Sequence, residues 1–199
     1  MKKVHFATAL LAAAGIAGAI AACNGSSANA SNNDDARFAY TTAQAEHGKY
    51  LVSMMGCNDC HTPFKMGPHG PERDTARLLS GHPAEAPIPP VDTTALKSWV
   101  LFDYSGTAMA GPWGVSFTAN LTSDKATGLG SWTLARFKKA LKEGKSKGLD
   151  NNRTLLPPMP WENYGNITDE DITDIFAYLQ STKPVKNLVP SPLPPAGAK

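Results

Sequence analysis

The sequence predicts an all-α domain that is interrupted by one long irregular insertion. Three segments combine helical periodicity of apolar residues with start or stop signals, at 42–56, 132–143 and 168–183. Between the first two, residues 64–113 lose this periodicity and contain many Gly and Pro residues, which prevent long helices. We therefore expect one helical domain over 41–183 with the irregular segment inserted in it.

The first helix begins at a predicted capping box. Thr41 and Gln44 stand at the N-cap and N3 positions, where each side chain can bond to the backbone N–H of the other residue. Gly48 falls in the middle of this helix, where glycine costs about 1 kcal/mol relative to alanine. That cost is explained if the last helix crosses closely at this point, with Tyr178 as a candidate contact.

The other two helices also carry boundary signals. Ser131 is the expected N-cap of the second helix, and Gly144 follows it at the C′ position. Thr168 starts the last helix with a capping box and an acidic first turn that suits the helix dipole, and Pro184 ends it. These signals fix where each helix should begin and end.

Two segments lack helical character. The insertion at 64–113 is expected to wrap around one face of the domain or to dock a partner, and to contain at most a small hairpin between 96–102 and 104–117. Residues 184–199 form a Pro-rich, semi-extended tail. We expect this tail to contribute no core residues.

The N-terminus has the features of an export signal. Lys2 and Lys3 precede an uncharged run of apolar and small residues at 7–22, which is short for a transmembrane span. Residues 20–23, Ile-Ala-Ala-Cys, are similar to the lipobox of bacterial lipoproteins. That similarity implies cleavage after residue 22 and lipidation of Cys23. The alternative is an ordinary secretory signal in which Cys23 occurs by chance.

A signal peptide over 1–22 changes the charge of the mature chain. The formal net charge of +2 comes from Lys2 and Lys3, so the remaining chain has equal numbers of acidic and basic residues. This balance gives no indication of nucleic acid or an anionic membrane surface as a partner. Polar residues over 23–40 predict a flexible tether. We expect an exported protein, lipid-anchored on the periplasmic side of a bacterial membrane.

The most specific motif is CxxCH, formed by Cys57, Cys60 and His61. Its spacing is the attachment signature for c-type haem: each thiol bonds to one porphyrin vinyl group, and the histidine becomes an axial iron ligand. A zinc site would need two more Cys or His ligands at suitable spacing, and Cys23 is the only other cysteine. A thioredoxin-like dithiol would need strands on both sides. The motif therefore predicts one covalent haem c.

Met159 is the expected second axial ligand of the iron. It lies between Pro158 and Pro160, which hold the segment extended with little backbone freedom. A thioether sulfur is a soft, neutral ligand that raises the reduction potential of haem iron. The competing distal ligands, all in the irregular region, are His69, His82, Met66 and Met109.

Over about residues 42–182 the chain resembles a class I-type cytochrome c domain. It has a helix before CxxCH, a capped helix midway, a Pro-Met-Pro loop and a terminal helix. The stretches at 118–122 and 159–171 are similar to those of cytochrome modules in periplasmic alcohol or aldehyde dehydrogenases. The resemblance implies a helical fold around the haem, with His61 and Met159 as axial ligands. By position alone it also implies four pocket residues: Trp113, Phe117, Asn120 and Trp161.

The resemblance implies electron transfer rather than catalysis by the chain itself. A single-haem carrier would exchange electrons with a dehydrogenase, an oxidase or another cytochrome, or serve as the cytochrome subunit of such a complex. The alternative is a peroxidase-like haem enzyme or a small-ligand sensor with an open iron position. Its acid or base groups would come from the irregular segment: His69, Glu72, Arg73 and His82.

The outer face of the second helix is strongly basic. Its cations are Arg136, Lys138, Lys139, Lys142, Lys145 and Lys147, with Glu143 as the only acidic residue among them. Two interpretations stay open. The face is either a solvated surface whose cations suit the C-terminal end of the helix dipole, or a docking patch for an acidic redox partner.

Overall fold

A computed structural model describes residues 38–195 of the chain. The predicted signal peptide, the lipidation site at Cys23 and most of the tether lie outside these residues. Within 38–195, no helix is long and apolar enough to cross a membrane. The elements in chain order are α1 (Thr42–Met54), α2 (Cys57–His61), β1 (Phe64–Gly67), β2 (Gly70–Arg73), β3 (Leu101–Phe102), β4 (Ala108–Gly111), β5 (Gly114–Phe117), α3 (Leu134–Glu143) and α4 (Asp169–Ser181).

Helices α1 and α4 cross where the sequence predicted. The capping box of α1 is confirmed, since the Thr41 side chain accepts a hydrogen bond from the Gln44 N–H at 3.2 Å and the Gln44 side chain accepts one from the Thr41 N–H. At the crossing, a Cβ on Gly48 would come within 1.8 Å of the Asp174 carbonyl oxygen. The close approach is therefore confirmed, although backbone atoms of α4, and not the Tyr178 ring, lie nearest to the glycine.

The hydrophobic core lies between α1, α3 and α4. Phe137 of α3 and Phe176 of α4 stack with their ring centroids 5.2 Å apart. Burying side chains of this size is the main source of stability for the helix assembly. The buried members of the cluster are Val52, Leu79, Leu129, Phe137, Leu141, Ile172, Ile175, Phe176 and Leu179.

The start of α3 differs from the prediction. Thr133, and not Ser131, is its N-cap, and the Thr133 hydroxyl accepts a hydrogen bond from the Arg136 N–H at 3.2 Å. The Trp132 N–H is already bonded to the Leu129 carbonyl, so residue 132 belongs to the preceding turn. The predicted end is confirmed: Gly144 has a left-handed conformation, with φ of 64°.

The all-α prediction is wrong, because the insertion contains two small antiparallel sheets. Strands β1 and β2 form a hairpin in which Phe64 faces Arg73, and β3, β4 and β5 form a three-stranded sheet in that order. Each strand has only two to four residues, and all four residues of β4 are buried, so no alternating pattern marks them. Of the expected strand at 96–102, only Leu101–Phe102 is extended, and Ala95–Lys97 is a 3-10 turn.

Within the described residues, no part of the Pro-rich tail belongs to the hydrophobic core cluster, as predicted, but the tail does pack against the domain. Asn187 is only 7% exposed. Farther along, Leu193 pairs with Val115 of β5 through two hydrogen bonds of 2.9 Å. Prolines prevent a continuous ladder of backbone hydrogen bonds, but the residues between them are free to dock singly.

Candidate functional site

The CxxCH motif lies on α2, a single helical turn that follows α1 after the left-handed residue Gly56. Cys57 and Cys60 are free, partly buried thiols, and Cys57 packs against the hydrophobic core. Burial raises the pKa of the Cys57 thiol to about 11. Burial and the nearby Asp59 carboxylate also raise the pKa of Cys60. Both thiols are therefore protonated at neutral pH in this structure.

His61 is buried and is oriented by one hydrogen bond. Its Nδ1 lies 2.8 Å from the Ala119 carbonyl oxygen. Because a carbonyl can only accept, Nδ1 carries the proton and the lone pair is on Nε2. Burial lowers the pKa of His61, so the imidazole is neutral at pH 7. Within residues 38–195 no hydrogen bond engages Nε2, which is therefore available as the axial nitrogen of a haem iron.

The β1–β2 hairpin holds α2 through Arg73. Its guanidinium donates hydrogen bonds to the carbonyls of Asp59 at 2.7 Å and Thr62 at 2.9 Å, and lies 3.0 Å from the Asp59 carboxylate. The same group stacks over the Phe64 ring at 4.2 Å. These contacts satisfy carbonyls at the C-terminal end of α2. The sequence indicated Arg73 only as a possible catalytic group, since its structural role depends on the hairpin register.

Met159 lies in a loop that the three-stranded sheet anchors. Ser116 of β5 donates a hydrogen bond to the Pro157 carbonyl at 2.7 Å, and the Trp113 indole N–H donates to the Ser116 hydroxyl at 3.2 Å. Met159 is half-buried and packs against the same hydrophobic cluster as Cys57. The loop of the predicted distal ligand and α2, which carries the predicted haem-attachment residues, therefore both contact one hydrophobic cluster.

The predicted pocket aromatics have defined partners within the protein. The Trp161 ring lies over Gly144, where a Cβ would come within 2.3 Å of the indole. The Phe117 ring lies against the buried His82 ring, with the ring centroids 4.8 Å apart and the ring planes tilted by 42°. Trp113 belongs to the hydrogen-bonded anchor of the Met159 loop. Contact of these rings with the haem stays a prediction.

Asn120 is 4% exposed, and its side chain organises the turn that follows Ala119. The Oδ1 atom accepts hydrogen bonds from the Thr122 N–H at 3.0 Å and the Thr122 hydroxyl at 2.7 Å. The Nδ2 group donates to the Val185 carbonyl at 2.8 Å. Asn120 thus holds in place the backbone segment whose carbonyl orients His61.

The alternative distal ligands lie in very different environments. Met66 is 77% exposed on β1, and His69 is exposed in the turn between β1 and β2. Met109 is 2% exposed within β4. His82 is completely buried, and its Nδ1 lies 2.9 Å from the Thr107 hydroxyl. These four side chains are therefore spread over the surface and the interior of the insertion and do not form one candidate site.

The residues considered for acid–base chemistry do not form a group in the described part of the chain. Arg73 is engaged by α2, and Glu72 pairs with Lys65 at 3.5 Å on the surface. His69 is exposed whereas His82 is buried. Residues 38–195 also contain no cluster of three or more His, Cys, Asp and Glu side chains that could hold a metal ion.

Much of the basic face of α3 is neutralised by nearby acids. Lys138 and Lys142 both contact the Asp169 carboxylate, at 3.0 Å and 3.3 Å, and Lys139 pairs with Asp150. Exposed ion pairs contribute little to stability, but they cancel local positive charge. The structure favours the interpretation of this face as a solvated surface over a dedicated docking patch.

Comparison with known proteins gives relatives that are parts of dehydrogenases. The chain is 38% identical over 147 residues to the fructose dehydrogenase cytochrome subunit of Gluconobacter japonicus, which covers 73% of this chain and 22% of that protein. It is 29% identical over 152 residues to a nicotinate dehydrogenase subunit of Pseudomonas putida, covering 76% of this chain and 10% of that protein. The alcohol dehydrogenase (quinone) cytochrome c subunit of Gluconobacter oxydans is 26% identical over 144 residues. This match covers 72% of this chain and 22% of that protein.

The chain therefore spans only 10% to 22% of the length of these three relatives. A family model also matches most of the chain. Residues 45–183 match the family described as Cytochrome c, and this range includes α2, the sheets, the Met159 loop and α4. The chain belongs to the cytochrome c family.

Proposed function

We propose that this domain carries a single covalent haem with His61 and Met159 as axial ligands and transfers electrons between redox proteins. The observation that carries the proposal is the state of His61: a neutral imidazole on the CxxCH helix, anchored through Nδ1, with Nε2 available for iron. Cys57 and Cys60 are the residues that would hold the haem by thioether bonds. When bound, the haem supplies a one-electron iron couple.

The contribution of the chain is to keep both ligands in place. The Ala119 carbonyl fixes the ring plane and tautomer of His61. The hydrogen bond from Ser116 to the Pro157 carbonyl holds the loop that carries Met159. Two neutral ligands beside an apolar cluster favour the reduced state and limit rearrangement when an electron arrives.

The relatives support a dehydrogenase as the source of electrons. Two of them are named as the cytochrome subunits of fructose and alcohol dehydrogenases. For this chain we propose a periplasmic dehydrogenase, an oxidase or another cytochrome as the partner. Lipid on Cys23 would keep the carrier at the membrane, and the tether at 23–40 would give it reach to both donor and acceptor.

The test is a set of absorption spectra of the haem-loaded protein, ferric and ferrous, for wild type, Met159→Ala and Met66→Ala. Met66 is the matched control because its side chain is 77% exposed. We expect the long-wavelength charge-transfer band of iron–thioether ligation in wild type and Met66→Ala. Met159→Ala should lose this band and have a lower reduction potential.

Two outcomes would contradict the proposal. An unchanged band in Met159→Ala would show that another residue is the distal ligand. A high-spin spectrum of the wild type, together with ready binding of carbon monoxide, would replace electron transfer by the enzyme or sensor alternative. The Met66→Ala control separates a loss of the band in Met159→Ala from a general effect of removing a methionine.

A further inference from the structure

One of the attachments of the tail segment, defined here as residues 184–193, to the domain is the buried side chain of Asn187. Both polar atoms of the Asn187 side-chain amide form hydrogen bonds to the backbone of the 80–84 segment. Its Oδ1 accepts a hydrogen bond from the Ala84 N–H at 2.9 Å, and its Nδ2 donates to the carbonyls of Ser80 at 2.7 Å and His82 at 2.9 Å. Because only an amide offers an acceptor and two donors at this size, asparagine fits this position specifically.

The backbone of Asn187 is bonded to a second segment. Its N–H donates to the Thr127 hydroxyl at 2.9 Å, and its carbonyl accepts a hydrogen bond from Asn120 Nδ2 at 3.4 Å. The neighbouring Val185 carbonyl accepts a shorter bond from the same Nδ2, at 2.8 Å. Asn187 therefore joins the 80–84 segment to the turn at 120–127.

Both of these segments lie against His61. The Gly81 N–H donates to the His61 carbonyl at 2.8 Å, while the Ala119 carbonyl accepts from His61 Nδ1 at 2.8 Å. The two segments also touch each other, since a Cβ on Gly81 would lie 2.4 Å from the Thr118 oxygen and 2.6 Å from Ala119. Ser80 and His82, which bond to Asn187, are the neighbours of Gly81, and Asn120 is the neighbour of Ala119. The partners of Asn187 are therefore next in the chain to the two residues that bond to His61.

We propose that Asn187 is a positioning residue for the iron ligand His61. Its amide holds the 80–84 segment and its backbone bonds to Thr127 and Asn120, and together these bonds keep the Ala119 carbonyl in place for its hydrogen bond with His61 Nδ1. A hydrogen bond at Nδ1 increases the electron donation of an imidazole to a bound metal, which stabilises the oxidised state. This inference rests on the proposed function, because it assigns the tail segment a part in setting the reduction potential.

The test compares haem-loaded Asn187→Ala with Leu188→Ala, whose side chain is adjacent in the tail and 74% exposed. In Asn187→Ala we expect a higher reduction potential. We also expect the His61 Nδ1 proton to exchange with solvent roughly tenfold faster or more in Asn187→Ala than in wild type, which is the effect of losing one buried hydrogen bond. This exchange is followed by NMR in the reduced state. Leu188→Ala should match the wild type in both measurements.

The outcomes separate the two proposals. If Asn187→Ala is less stable but keeps the wild-type potential and proton exchange, Asn187 is only structural and the inference is overturned. If Asn187→Ala fails to fold, the same measurements on Asn187→Ser, which retains one hydroxyl for hydrogen bonding, decide in the same way. If the wild type lacks a six-coordinate spectrum, the proposed function fails and the positioning role fails with it.

Discussion

The crossing of α1 and α4 gives the most direct prediction about stability. Alanine at position 48 would place its Cβ 1.8 Å from the Asp174 oxygen and 2.4 Å from the Asp174 carbonyl carbon. An ordinary contact of a Cβ atom begins at 3.4 Å. The two helices would have to separate by about 1.5 Å to accept the methyl group, because the atoms it meets are backbone atoms held in α4.

The expected cost follows from this displacement. Overpacking a well-packed interface costs about 1–3 kcal/mol and occasionally more, and a rigid helix backbone allows little relief. Alanine recovers about 1 kcal/mol through its better helix propensity. We therefore expect Gly48→Ala to lower the free energy of unfolding by about 3 kcal/mol, taking the clash near 4 kcal/mol. For a chain of this size that corresponds to a fall in Tm of about 6–12 °C.

The assay is urea unfolding of the haem-loaded protein, followed by circular dichroism. Gly165→Ala is the matched control, because the nearest atom to its Cβ would be the Glu162 oxygen at 3.5 Å, an ordinary contact. We expect this control to stay within about 0.5 kcal/mol of wild type. If Gly48→Ala is equally stable, the helices do not approach as closely as described, and the reasoning is refuted.

Two further predictions concern His82 and the hairpin. Burial lowers the pKa of His82, so below its ordinary value of 6.5 the unfolded chain binds a proton that the folded protein does not. The free energy of unfolding should therefore fall as pH decreases from 7 to 5. His82→Gln should reduce the slope of this free energy against pH by up to about 1.4 kcal/mol per pH unit, measured by urea titrations at several pH values. Parallel pH profiles of wild type and His82→Gln would contradict the prediction. Arg73→Gln removes the charged hydrogen-bond donors of two carbonyls at the end of α2. It should lower the free energy of unfolding by about 1–2 kcal/mol. The expected value is modest because Arg73 is partly exposed. Arg77→Gln, which removes surface ion pairs, should cost under about 0.5 kcal/mol in the same titration, and equal effects of the two substitutions would contradict the role of Arg73.

The features predictable from sequence are those with a local physical cause. The cap at Thr41 and the helix end at Gly144 depend on residues within a few positions of each other. The crossing at Gly48 was predictable because a glycine inside a helix has a cost that needs a reason. The cap of α3 was misplaced because Ser131 and Thr133 have the same capping chemistry, and only the turn at Trp132 decides between them.

The features that could not be predicted depend on distant partners. The strands of the insertion are too short to show a period of two, and their glycines and prolines were interpreted only as helix breakers. Arg73 stabilises α2 only because the β1–β2 hairpin folds back on the helix. Asn187 bonds to carbonyls more than a hundred residues earlier in the chain, and nothing in the surrounding prolines indicates that its amide is buried.

The attachment of the tail segment has a consequence for how the domain opens. The tail is held by contacts between residues that are far apart in the chain, such as Asn187 and Ser80, which are 107 positions apart. In the part of the chain that the structure describes, no side chain of the tail belongs to the core cluster, whereas α4 supplies four of its buried members and α1 supplies Val52. The tail is therefore the part expected to detach in a sub-global opening that leaves the helices folded. The lifetime of the histidine geometry at the iron would then be governed by this local equilibrium and not by global unfolding.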